Sequence, residues 1–308
     1  MEPVRPDLAG PCITGIVPGL LGSTPPAWFP APTAGASATV LLVLDGLGWT
    51  ELERHRAILP NLTAMVGGSI TTVVPSTTST ALTSIVTGRA PIEHGVLGYR
   101  VREGSGVLNV LQWRMEDGGR APEPRDLQRH AAFGGRRVPV VTQASFRRTG
   151  FTRAHLEGVD FVGWSTVAVL VEQCRGRIAA GAPFVYAYYP GVDSVAHEFG
   201  LHDDRYLAEL AFTDRLVGWM LDVLPAHAAL LVTADHGQAQ VGPEGWVELP
   251  TVAGLAPLQA GDGRFRHLHA RPGGAGDLLL AAREAAGDRA WVFTRSELID
   301  GGWLGPGR

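Results

Sequence analysis

Four short stretches hold side chains that could work on one substrate. Asp45 closes the run ATVLLVL and leads into Gly46-Leu47-Gly48, and Asp193 and His197 stand four apart in PGVDSVAHEFG. Asp235-His236-Gly237 follows ALLVTA, and a hydroxyl cluster lies inside TTVVPSTTSTALTSIVTG, residues 71–88. Singly, each has an ordinary structural use. Asp-Gly makes turns, an i, i+4 pair on a helix surface adds a few tenths of a kcal/mol, and Ser or Thr ahead of a helix caps it. Asp235-His236 is less ordinary, because neighbours in a strand point to opposite faces. Both reach one site only where the chain leaves the sheet, and Gly237 permits that departure.

Taken together, carboxylates and imidazoles suit zinc, or manganese with more oxygen in its shell. A hydroxyl among them suits two ions that clamp a phosphoryl group, one lowering the hydroxyl's pKa and the other stabilising the leaving oxygen. A hydroxyl at a helix N-terminus is favoured as an alkoxide and near phosphate. To act as a nucleophile it still needs a base or a metal.

The elements that must position these groups are legible in outline. Residues 38–44 form a continuous apolar run, as in a strand buried on both faces of a parallel sheet. Residues 138–142, 184–189 and 229–233 read the same way, with further strands expected at 71–74, 265–270 and 290–293. Helical spacing marks 59–65, 78–87, 166–180, 203–224 and 276–286, with one short helix in the Pro- and Gly-rich residues 1–36. This alternation predicts an α/β fold with a mostly parallel central sheet and helices on both faces. Ligands of such sheets bind beyond the carboxyl ends of the strands, where Asp45, Asp193 and Asp235 fall and where Thr78 enters its helix. Residues 94–113 alternate like hairpin strands about Gly104-Ser105-Gly106, and 95–165 reads partly as an inserted cap on a single domain spanning 1–308. His55, His130, His155 and His227 lie in polar or helical settings and are expected on the surface.

Composition narrows the chemistry. The chain has 308 residues, 18% of them charged, and a net charge of −4, which leaves no electrostatic footprint for nucleic acid or an anionic membrane. It contains no lysine, which excludes a Walker P-loop, a Schiff-base enzyme and a pyridoxal phosphate enzyme. GLLGST at 19–24 is therefore not a nucleotide loop. Cys12 and Cys174 are too isolated for a disulfide framework or a cysteine-rich zinc site. The apolar residues 13–21 are broken by Pro18 and make a poor signal segment, and nothing approaches a membrane span, so a cytoplasmic protein is expected.

With VLDGLG, STT…VTG, YPGVDSVAHEFG and VTADHG in this order, the chain resembles the alkaline phosphatase superfamily, and most closely its type I phosphodiesterase/nucleotide pyrophosphatase branch. The resemblance runs from about residue 38 to 270 and implies an alkaline-phosphatase-like fold. Matching VTG at 86–88 to the same element of the family puts the nucleophile at Thr78 rather than Thr77 or Ser79. It implies two divalent ions, zinc or manganese: one held by Asp45, Thr78, Asp235 and His236, the other by Asp193, His197 and a later histidine. RFRHLHA offers His267 and His269 for that place, and His269 is favoured because it lies nearer the strand's carboxyl end. His94, in EHG, matches a structural turn of the family.

The implied activity is hydrolysis of a small phosphate ester, a phosphodiester or nucleotide pyrophosphate, through a phosphothreonine. Phosphomonoesterase, phosphonate hydrolase and phosphomutase chemistry use the same metal core, and a metal-stabilised protein that only binds a phosphorylated ligand is the non-catalytic alternative. One position departs from the family. Ala81 stands where the phosphodiesterase branch has an asparagine that helps to hold a phosphate oxygen. No arginine follows Thr78 before Arg89, which favours a singly charged diester over a dianion, unless Arg100 or Arg102 folds over the phosphate.

Overall fold

The computed structural model describes residues 3–307. β1 (Ala38–Leu44) is the predicted apolar run, buried throughout. It is followed by β2 (Arg100–Glu103), β3 (Gly106–Asn109), β4 (Arg114–Met115), β5 (Pro139–Gln143), β6 (Asp160–Trp164) and β7 (Phe184–Tyr189). Then come β8 (Ala228–Thr233), β9 (Leu258–Gly261) and β10 (Arg266–His269). Strands β6, β5, β7, β1 and β8, in that spatial order, make a five-stranded sheet whose pairings are all parallel. β2, β3 and β4 form a separate antiparallel sheet, and β9 with β10 a two-stranded one.

Successive residues of β1 face opposite ways, and both faces are covered. Val40, Leu42 and Leu44 pack with Leu170 and Cys174 of the Val167–Ala179 helix and with Leu210 and Val217 of the Asp204–Val223 helix. Leu41 and Val43 pack on the other side with Ala81 and Ile85 of the Thr78–Thr87 helix, and with Ile13 and Phe133. Each such side chain contributes about 1.5–3 kcal/mol on full burial. That burial on two faces explains why β1 reads as unbroken apolar sequence rather than as an alternation. The helices thus lie on both faces of a parallel sheet, as expected.

Four expectations need correction. Residues 71–74 form no strand: Thr71 makes an isolated bridge with Cys12, and the Thr72 hydroxyl donates to the Asp235 carbonyl at 2.5 Å. The segment thus crosses the end of β8 instead of joining the sheet, although its β-branched residues read like a strand. Residues 290–293 are not a strand either, and Trp291 is 58% exposed. His155 is buried, its ring stacked on Phe151 at 4.0 Å and its Nδ1 donating to the Phe151 carbonyl at 2.6 Å. His55 is half-buried against Tyr206. No apolar run or alternation in the sequence marks β6 or β9. Within 95–165, β2–β4 stand in their own sheet, whereas β5 and β6 belong to the central one.

Candidate active site

Parallel pairing of β1 with β7 and with β8 brings three strand ends to one edge of the sheet. Asp45 follows β1, and Asp235-His236 follow β8. The two turns touch through glycine: a Cβ on Gly48 would lie 2.5 Å from Gly237 Cα, so only hydrogens fit there. Gly46, at φ 74°, turns its N–H to Asp235 Oδ1 at 3.2 Å, and the His236 N–H donates to the same oxygen at 2.9 Å. Asp193 comes from the Gly191–Phe199 helix, which leaves β7. Thr78 is the first residue of its helix, and the N-cap residue Thr77 makes no side-chain capping bond. The cluster's hydroxyls are therefore not consumed by capping at Thr77. Thr78 Oγ1 lies 3.0 Å from His236 Nε2.

The His236 tautomer follows from its partners. Gly237's carbonyl, 3.1 Å from Nδ1, can only accept, so Nδ1 carries the hydrogen. Nε2 then faces Thr78, with Asp45 Oδ1 at 3.3 Å and Asp235 Oδ2 at 3.6 Å. Ligand-capable atoms of Asp45, Asp193 and His236 all lie within 4.8 Å of one another. Burial raises the Asp45 carboxyl well above the usual carboxylate range, with the Asp235 and Asp193 charges adding to the effect. Asp45 Oδ2 accepts from the Tyr188 hydroxyl and Asp193 Oδ1 from the Gln238 amide, but Asp45 Oδ1 and Asp235 Oδ2 are buried without a hydrogen-bond partner. Converging carboxylates with orphaned oxygens, beside an imidazole nitrogen, fit a divalent cation and are costly without one.

Of the residues expected at the site, Asp45, Thr78, Asp193, Asp235 and His236 come together. His197 Nε2 lies 3.5 Å from Asp193 Oδ1, but its side chain is 77% exposed. Among the described residues, neither His197 nor His269 belongs to the group of mutually close ligand atoms. The two candidate histidines of β10 differ in what they bind. His267 Nε2 is taken up by the Leu97 carbonyl at 2.9 Å, whereas His269 Nε2 is buried without a partner. His94 is buried between the Ser84 hydroxyl, 2.9 Å from its Nε2, and the Val96 N–H, which donates to its Nδ1 at 3.1 Å.

Ala81 is fully buried in the core, one turn after Thr78 on the same helix. Arg100 is held by Glu116 through two bonds of 2.5 and 2.6 Å, and the Arg102 Nε donates to the Gly104 carbonyl. Sequence reasoning missed Tyr188, Gln238 and Asp262. Gln238, directly after Asp235-His236-Gly237, carried a positional signal. Asp262 sits in the GDG turn of the β9–β10 hairpin, where its Oδ1 accepts from the Tyr99 N–H at 3.0 Å.

A family model described as type I phosphodiesterase/nucleotide pyrophosphatase matches residues 39–175 and 177–290. Among solved structures, murine ectonucleotide pyrophosphatase/phosphodiesterase 5, in an inactive form in complex with AMP, superposes with a TM-score of 0.61. That match is 14% identical in sequence and covers 81% of this chain and 70% of the murine one. The human protein of the same name gives a TM-score of 0.58 at 14% identity, covering 80% and 70%. At these identities the likeness shows the fold. No curated protein matches the chain by sequence. The family model spans most of the chain and bears out the motif resemblance: this chain belongs to the type I phosphodiesterase/nucleotide pyrophosphatase family and is a hydrolase of that type.

Proposed function

We propose that this hydrolase cleaves small phosphodiesters or nucleotide pyrophosphates through a phosphothreonine formed on Thr78. The observation that carries this reading is the 3.0 Å contact of Thr78 Oγ1 with His236 Nε2 at the end of a helix and among unpartnered carboxylate oxygens. Thr78 Oγ1 attacks phosphorus in line with the leaving alcohol, which departs as the phosphothreonine forms. Water then cleaves that ester and restores the hydroxyl. The helix N-terminus behind Thr78 favours negative charge on both the oxygen and the phosphoryl group. Asp45, Asp235, His236 and Thr78 would hold one divalent ion, zinc or manganese, and Asp193, His197 and His269 a second. When bound, these ions lower the hydroxyl's pKa and neutralise charge on the phosphoryl oxygens. The Gly237 carbonyl fixes His236 with Nε2 free to serve as a ligand. His269's unpartnered Nε2 supports it over His267, whose Nε2 is already engaged.

The substrate preference is read from charge. Arg100 is neutralised by Glu116, and the Thr78–Thr87 helix brings no cation to the phosphate, so a singly charged diester suits the site better than a dianion. The bound AMP of the murine structure makes a nucleotide a reasonable first ligand to try. The two buried free cysteines fit a cytoplasmic location, and no helix among the described residues is long and apolar enough to cross a membrane. The test compares kcat/KM for an aryl phosphodiester and its matching monoester in zinc- or manganese-loaded enzyme. The diester is expected to be the better substrate. A monoester preference of about tenfold or more, some 1.4 kcal/mol, would overturn the charge argument.

A further inference from the structure

Residues 97–99 are unusual in being gripped from three directions at consecutive positions. The Leu97 carbonyl accepts from His267 Nε2 at 2.9 Å. The Gly98 carbonyl accepts from the Ser79 hydroxyl at 2.9 Å, and the Tyr99 N–H donates to Asp262 Oδ1 at 3.0 Å. Ser79, fully buried, is the residue after Thr78, while His267 and Asp262 belong to the β9–β10 hairpin that carries His269. We propose that residues 97–99 are a clamp that fixes this hairpin against the start of the Thr78 helix, with Ser79, His267 and Asp262 as positioning residues. The proposal rests on the reading of Thr78 as nucleophile and goes beyond it by assigning residues that need not touch substrate.

The clamp is itself anchored. The Tyr99 carbonyl accepts from the Val110 N–H at 2.9 Å, and the Tyr99 hydroxyl accepts from Asn109 Nδ2 at 2.6 Å. The hairpin turn is closed by the Asp262 N–H donating to the Phe265 carbonyl at 2.7 Å. Gly98, at φ 134°, holds a backbone conformation that side-chain-bearing residues rarely adopt, and its Cα side is in ordinary contact range of Asp262 Oδ2 and Gly261 Cα. The His267 and His269 rings are stacked at 6.4 Å, so holding the first also limits the second.

Asp262 points to function rather than fold stability. Its Oδ2 is buried without a partner, which destabilises the folded chain. Only Oδ1 is used to hold Tyr99, a task that an asparagine oxygen would perform without burying a charge. Costly polar groups of this kind are expected where activity, not stability, is served.

The test measures kcat and KM for an aryl phosphodiester, zinc content, and amide hydrogen exchange of the zinc-free protein. Ser79→Ala and His267→Phe are each expected to lower kcat by about 10- to 100-fold, the scale of a small misplacement of reacting groups, with zinc content and KM little changed. The double variant should fall no further than the worse single one, because both act through one segment. His267→Gln, which keeps an N–H donor, should recover most of kcat, and the Tyr99 amide should exchange faster in His267→Phe. Asp262→Ala, which removes the oxygen that holds the Tyr99 N–H, should lower kcat, whereas Asp262→Asn, which keeps that oxygen, should raise thermal stability and leave the clamp intact. Multiplying losses in the double variant, or a Tyr99 amide equally protected in His267→Phe, would overturn the clamp. If the wild type hydrolyses no phosphodiester, the functional reading fails instead, and the exchange measurement still decides whether the clamp exists.

Discussion

Replacing Asp45 by Asn should stabilise the metal-free protein and weaken its response to metal. Ligand-capable atoms of Asp45 and Asp193 lie within 4.8 Å, and Asp45 is buried together with Asp235. At an effective dielectric of about 20, two unit charges at that distance repel by about 3 kcal/mol. Asparagine keeps an oxygen for the Tyr188 hydroxyl and offers an amide to the neighbouring carboxylates, so little is lost in exchange. A net gain of about 1–3 kcal/mol is expected, or about 2–5 °C in Tm for a chain of this length.

The sign with pH follows from the raised Asp45 carboxyl, whose cause is burial first and the Asp235 and Asp193 charges next. A carboxyl raised in the folded state favours folding below its unfolded pKa of about 3.9 and loses that contribution as pH rises. The advantage of Asp45→Asn should therefore be largest near neutral pH and fade toward pH 4. Zinc reverses the order. Saturation at about 100 times its Kd should stabilise the wild type by about 2.7 kcal/mol, and the variant far less. Thermal unfolding followed by circular dichroism, with chelator and with zinc, reads both effects. A metal-free variant less stable than metal-free wild type, or an equal response of the two to zinc, would refute the reasoning.

Three further outcomes are expected. Thr78→Ala should lose several orders of magnitude in kcat while keeping its fold and most of its metal; retention of more than about a tenth of the rate would exclude a covalent role. His269→Ala should lose about one metal ion per chain by elemental analysis and His267→Ala little, and the reverse pattern would transfer the ligand role to His267. Burial holds the His155 imidazole down at about 4, so its contribution to stability is present above the unfolded pKa and is lost as pH falls. In zinc-free protein that loss is about 2 kcal/mol between pH 6.5 and 5, and urea unfolding of His155→Phe should show a correspondingly flatter dependence.

What the sequence made legible was what burial on both faces writes into it. β1 and β7 are buried at every position, β8 is an apolar edge strand that is mostly half-buried, and polar residues follow directly where β1 and β8 leave the sheet, so Asp45 and Asp235-His236 stood out. The less regular parts depend on partners distant in the chain. Residues 71–74 have strand composition, yet Thr72 bonds to Asp235, 163 positions away. β6 is an edge strand with half-buried residues, which leaves no continuous apolar run to notice. His155 is neutralised by burial that its helical, charged neighbourhood did not announce. Asp262 and Tyr188 reach the site through a hairpin turn and a neighbouring strand, and no spacing rule connects them to Asp45 or Thr78.

The stereochemical course at phosphorus tests the central claim most directly. With a phosphodiester made chiral at phosphorus by isotopic or sulfur substitution, two successive in-line displacements, first by Thr78 and then by water, give net retention of configuration. Retention is the result predicted here. Net inversion would mean that water attacks the substrate directly, and the assignment of Thr78 as nucleophile would fall with it.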